Sequence, residues 1–113
     1  MALTKNLNMV RGDTFAFQLV LTDLEDDVAS IFFTAKKRAT DEAVVFQKSF
    51  SDGITLIEAN KYAVRVSPSD TAGVAAGRYT YDLQIGIGDD IYTIMMGNLQ
   101  IVQDVTGGEA NDS

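Results

Sequence analysis

A chain of 113 residues, 46% of them hydrophobic, has room for one core and one domain. It contains no cysteine, histidine or tryptophan, which removes disulfides, the usual zinc sites, and Ser-His-Asp or Cys-His catalysis. A net charge of −7 repels a phosphate backbone, and no apolar run approaches the roughly 20 residues of a membrane span, so neither nucleic acid nor membrane insertion is expected.

The opening "MALTKNLNMV" has no basic leader followed by an apolar block, so no secretory signal is read there. Next comes Arg11-Gly12-Asp13, an adhesion tripeptide by letter. The structural reading is a corner between strands: Gly12 permits a positive φ angle, and Asp13 and Thr14 can bond to nearby backbone. "TFAFQLVLT" (Thr14 to Thr22) alternates Phe15, Phe17, Leu19 and Leu21 against Ala16, Gln18, Val20 and Thr22, the period of a half-buried strand. "DLEDD" (Asp23 to Asp27) is a polar turn. "SIFFTAKK" sets Ile31, Phe33 and Ala35 on one side and ends in the basic run Lys36-Lys37-Arg38, read as a solvated strand end. "VVFQKSF" (Val44 to Phe50) and the turn "SDG" follow. "ITLIE" and "KYAVRVS" flank Ala59-Asn60 as a hairpin with Tyr62, Val64 and Val66 inward.

"SPSDTAGVAAG" (Ser67 to Gly77) is the one place for a helical turn, with Ser67 as cap and Pro68, the only proline, at the first helical position. Gly77 ends that segment. "RYTYDLQIGI" then alternates Tyr79, Tyr81, Leu83 and Ile85 inward, and "GDD" turns into "IYTIMM". In that last strand Tyr92, Ile94 and Met96 share one parity, and Leu99 and Ile101 share the other. A bulge or kink at Gly97 would return all five to one face. About seven to nine short strands at this spacing predict an all-β, antiparallel sandwich of immunoglobulin type, with a small barrel as the alternative. The domain is expected over residues 1–106, with a polar, flexible tail over 107–113. Tyr79 opens its strand where such sandwiches turn a tyrosine hydroxyl back onto the corner backbone, and Tyr81 stands where antibody domains carry a cysteine.

"RGDTFAF", "FTAKK", "VFQKSF..GI", "YAVRVSPSDT", "GRYTYDLQI" and "GNLQIVQDVT", in that order, resemble small phage and prophage proteins. They are similar to the immunoglobulin-like N-terminal domain of phage baseplate upper proteins, from about Met9 to Thr106. The resemblance implies a non-catalytic virion component of the tail, baseplate or head–tail region. Its partners would be other phage structural proteins, and its location the virion or the host cytoplasm before assembly. A small stand-alone accessory protein fits the same pattern.

"DLEDD" and "GDD" are the possible calcium turns, but "DLEDD" lacks the glycine and distal glutamate of an EF-hand loop, so solvated turns are expected and no metal or cofactor. Asp89 and Asp90 lie on a tight turn, where nothing would raise one pKa for acid–base work. Val20, Phe32, Val45, Ile91, Met95 and Val102 have parity opposite to their core-facing neighbours. They are the candidate interface residues of a homo-oligomer or partner-docked subunit, with Phe32, Ile91 and Met95 foremost. Gly12, Gly77, Tyr79, Tyr81 and Gly97 are the candidate structural positions. The rival function is a carbohydrate-binding β-sandwich, which would need exposed aromatics. An enzyme is the least favoured reading.

Overall fold

A computed structural model describes residues 3–22 and 27–105. Its elements are β1 (Leu3–Thr4), β2 (Leu7–Val10), β3 (Phe15–Val20), β4 (Ser30–Lys36), β5 (Phe46–Phe50), β6 (Gly53–Glu58), β7 (Lys61–Val66), α1 (Pro68–Thr71), β8 (Gly77–Ile87) and β9 (Asp90–Val102). The expected tail over 107–113 and most of the acidic turn lie outside the described residues.

The strands make two layers. The larger runs β5–β4–β8–β9, with β1 and β2 added in parallel to the far side of β9. The smaller runs β6–β7–β3, and a short parallel contact between β5 and β6 joins the two. This is the immunoglobulin-like antiparallel β-sandwich that the alternation predicts. The parallel pairing of β2 with β9, Leu7 beside Leu99 and Met9 beside Ile101, was not legible in the sequence.

The core follows period two. Ile31, Phe33 and Ala35 of β4, Tyr62, Val64 and Val66 of β7, and Tyr79, Tyr81, Leu83 and Ile85 of β8 are all buried. Phe33 sits at the centre, with the rings of Phe17, Phe46 and Tyr81 edge-on at 5.5, 5.6 and 5.7 Å. Such T-shaped contacts put the positive edge of one ring on the negative face of the next. Phe15, Phe17 and Leu19 also face inward, but they are only half-buried, because among the described residues β3 has a neighbour on one side alone.

The phase change in β9 falls elsewhere than expected. The β8–β9 register slips between Leu83 and Gln84: Leu83 pairs with Met95 and Gln84 with Thr93, leaving Ile94 as the extra residue of a bulge. A bulge reverses the side-chain alternation beyond it. Met95 therefore packs against the core with Leu99 and Ile101, while Met96 is turned out and 46% exposed. Gly97 has a different task. A Cβ there would collide with the backbone carbonyl of Lys5, so Gly97 lets the N-terminal segment, which runs beside β9 in parallel, approach it closely between β1 and β2.

The corner before β8 has the form the sequence suggested. The Tyr79 hydroxyl donates to the Ala75 carbonyl at 2.6 Å, so the ring is buried and its polar tip satisfied. Tyr81, in place of a cysteine, donates its hydroxyl to the Lys5 carbonyl at 2.6 Å and ties β8 to the N-terminal strand. Tyr79→Phe is expected to cost about 1 kcal/mol in urea unfolding, the usual net worth of one such bond. An unchanged midpoint would show that the corner holds without it.

Candidate functional site

The Arg11-Gly12-Asp13 corner is built into the fold. Gly12 adopts φ 81°, and the Asp13 N–H closes the turn onto the Val10 carbonyl at 3.0 Å. The Gly12 N–H donates to the Thr71 hydroxyl of α1 at 2.8 Å, and the Arg11 guanidinium pairs with Asp104 at 3.3 Å.

The basic run is also partly engaged. Lys37 lies 4.7 Å from the Tyr79 ring centroid and donates to the Arg78 carbonyl at 3.2 Å. Lys36 turns to the outer face of the larger sheet, where it lines a shallow depression with Thr34, Thr80, Asp82 and Met96. Burial raises the Asp82 carboxyl above the usual carboxylate range, and the charge of Lys36 offsets part of that rise.

That outer face carries several exposed apolar side chains. Register places Phe32 of β4 beside Gln84 of β8, and Gln84 beside Thr93 of β9. The Gln84 amide donates to the Thr93 hydroxyl at 3.2 Å, and Gln47 donates to Thr34 at 3.0 Å, so the polar groups around the patch hold one another. One row up, Ile91 leans over Gly86, its Cδ1 at 3.4 Å from where a Cβ would stand. Phe32, Ile91 and Met96 are 37%, 62% and 46% exposed on this face, and Val102 at its far end is 38% exposed.

The six candidate interface residues thus divide. Phe32, Ile91 and Val102 lie on the outer face of the larger sheet. Val20 is exposed on the outer side of the smaller sheet. Met95 and Val45 are corrected: both pack against the core, Met95 because of the bulge at Ile94, and Val45 because its N–H is bonded to Ala35 and its side chain lies against the core at the entry to β5. Met96, which the sequence reading placed inside, takes the position assigned to Met95. Leu56 and Ile57, both exposed, were missed. The register of β6 with β7 slips between Leu56 and Glu58, and a strand that loses register loses its alternation signal.

One ionic cluster lies inside. Lys48 of β5 points toward the core, opposite Phe33 in register, and is buried. Its ammonium meets Asp70 of α1 at 3.1 Å and Asp52 at 3.2 Å. Burial pulls its pKa down, but bonds to the two carboxylates outweigh that and leave it above the ordinary lysine value. Asp70 also accepts the Ser67 N–H at 2.7 Å, so one carboxylate holds both the start of α1 and the buried lysine. With every partner accounted for, the cluster is a clasp between layers. Among the described residues no three metal-ligating side chains come together.

No protein-family model matches the sequence, and no curated protein does either. Solved structures similar in fold include a Bacteroides vulgatus protein provisionally assigned as a glycoside hydrolase, at 16% identity and TM-score 0.48 over 87% of this chain. This chain spans only 16% of that protein's length. The extracellular domain of a voltage-gated sodium channel beta4 subunit, described as a parallel homodimer in cell–cell adhesion, is similar at 15% identity and TM-score 0.47, covering 90% of this chain and 93% of that one. A natural killer cell triggering receptor is similar at 12% identity and TM-score 0.48, covering 91% and 100%.

Proposed function

We propose that this chain is a non-catalytic assembly module of a phage or prophage virion, docking neighbouring subunits of the tail, baseplate or head–tail region through the outer face of its larger sheet. The observation that carries the docking surface is that Phe32, Ile91 and Met96, large apolar side chains in three successive registers, are exposed on one sheet face among mutually bonded polar groups. Large exposed apolar side chains gathered on one face are a usual mark of a protein interface. The virion assignment rests on the order of sequence motifs.

Particles induced from the host strain and purified by density should contain the chain, detected by mass spectrometry and located by immunogold labelling. Its absence from intact particles would overturn the virion assignment. Phe32→Lys together with Met96→Lys should leave the melting curve within a few degrees of wild type and abolish incorporation into particles. If the pair unfolds the domain instead, these side chains belong to the core.

The carbohydrate-binding alternative draws on two exposed aromatics, Phe32 and Tyr92. It is less favoured because they do not form one platform: Phe32 lies on the outer face, while Tyr92 pairs with the core-facing Ile85 at the end of the sandwich. Specific retention on a glycan array, lost in Phe32→Ala, would restore it.

A further inference from the structure

The open edge of the smaller sheet carries an inference independent of the outer face. β3 is bonded to β7 on one side only, because the whole described N-terminal segment, β1 and β2, pairs with β9 instead. The Leu21 N–H bonds toward β7, at the Asn60 carbonyl. Antiparallel strands alternate, so Phe15, Phe17 and Leu19 also direct their backbone groups to β7, and Ala16, Gln18 and Val20 direct theirs away. Among the described residues nothing bonds to that outward set.

Natural edges are commonly blunted by a lysine, a proline or a bulge. β3 has none of these: its sequence is FAFQLV and its register with β7 is unbroken. From Thr14 to Thr22 the chain is free of charge, although the protein carries a net −7. Copies of so acidic a chain repel one another over most of their surface, and this uncharged edge is where they can approach.

We propose that two copies pair through β3, antiparallel about a two-fold axis at Gln18, so that the two smaller sheets become one. This register sets Gln18 opposite Gln18 and Ala16 opposite Val20 of the partner, so every outward-pointing N–H and C=O of the three residues meets its counterpart. It also fits the side chains. On the outer surface Val20, 60% exposed, lies beside the small Ala16. On the inner surface the half-buried Phe17 lies beside Leu19 of the second copy, which covers the layer that β3 leaves open. An isologous contact of this kind closes on itself as a dimer.

The absence of native cysteine makes the register directly testable. Two residues facing each other in a hydrogen-bonded antiparallel pair have Cα atoms about 5.5 Å apart, within disulfide range. Gln18→Cys should therefore oxidise to a covalent dimer. Ala16→Cys should not, because the two copies of residue 16 would lie about 13 Å apart along the strands. Wild type should show a concentration-dependent dimer in sedimentation velocity, with hydrogen exchange slowed at Ala16, Gln18 and Val20 as the dimer fills. Gln18→Pro removes only an outward N–H and should abolish the dimer while keeping the native circular dichroism spectrum. Gln18→Lys should do the same if proline disturbs the fold. A wild type that stays monomeric at millimolar concentration would overturn the proposal. So would equal crosslinking of the two cysteine variants, or edge protection independent of concentration, which would place the chain's own terminal residues on the edge. Loss of dimer in Phe32→Lys/Met96→Lys with the Gln18→Cys crosslink also lost would move self-association to the outer face. Failure of virion incorporation alone bears only on the proposed function.

Discussion

Truncating Phe33 to alanine is expected to cost about 3–5 kcal/mol, a large part of the roughly 5–15 kcal/mol that holds a domain of this kind together. Phe33 has no solvent exposure, and three aromatic rings from β3, β5 and β8 lean on it edge-first. Its removal empties the space between the layers and takes those contacts away together. With three rings fixed by their own strands, little can relax into the gap, which is the condition under which cavities cost most. Leu83→Ala, also fully buried and next to Phe33 in register, is expected in the range of about 2–5 kcal/mol. At dilutions where the chain is monomeric, Phe17→Ala should cost less than either, because that ring is only partly buried in the single copy. Urea unfolding followed by circular dichroism measures all three. A Phe17 loss that grows toward the Phe33 loss as protein concentration rises would mark the cover that the edge pairing supplies.

The second large effect lies in the Lys48 clasp, and it is asymmetric. Asp70→Ala is expected to cost about 3 kcal/mol, because it leaves a buried ammonium with only the exposed Asp52 as counter-charge and strips the Ser67 N–H of its acceptor. Lys48→Met should cost far less, about 1 kcal/mol or under. A methionine fills the same channel with no charge to desolvate, and Asp70 keeps its bond to Ser67. The pH dependence follows from the raised folded-state pKa of Lys48. Its stabilising contribution is fully present below the ordinary lysine value of 10.5 and is lost as pH climbs through the raised value. Burial raises the Tyr81 hydroxyl as well, which weakens the fold in the same alkaline window. The difference between wild type and Lys48→Met isolates the lysine: it should be constant from neutral pH to about 10 and shrink above that. A difference that does not change with pH would show that the clasp works by packing alone.

Much of this architecture is local, and local features are written in the sequence. The alternations of β4, β7 and β8 are period-two patterns of apolar residues, and hydrophobic burial acts on each residue according to the face its strand presents. The turns at Gly12, Asn60 and Gly88 need positive φ angles, which glycine and asparagine adopt cheaply. The Tyr79 corner was legible because a helical turn, a glycine and a tyrosine stand at the spacing that such corners use. Composition alone set the boundary of chemistry, since a missing residue type cannot act.

What the tertiary structure decided is where the chain's parts meet. Met95 and Met96 are adjacent and chemically identical, so nothing in their own residues says which is buried. The bulge at Ile94, imposed by pairing with β8, turned Met95 in and Met96 out, and with it redrew the candidate docking face. Gly97 looked like a bulge residue and proved to be a point of close approach, because the segment that packs on it lies more than ninety positions away in the chain. Lys48 shares the parity of Phe46 and Phe50, but its counter-charge Asp70 is brought to it only by α1. The edge of β3 that no described residue covers is a property of topology: its six residues bear no mark of lacking a neighbour, and the choice of β9 by β1 and β2 leaves that edge open among the described residues. A period-two pattern states which side of a strand faces the core. Which strands become neighbours is settled by the sum of long-range pairings, and no short stretch of sequence contains that sum.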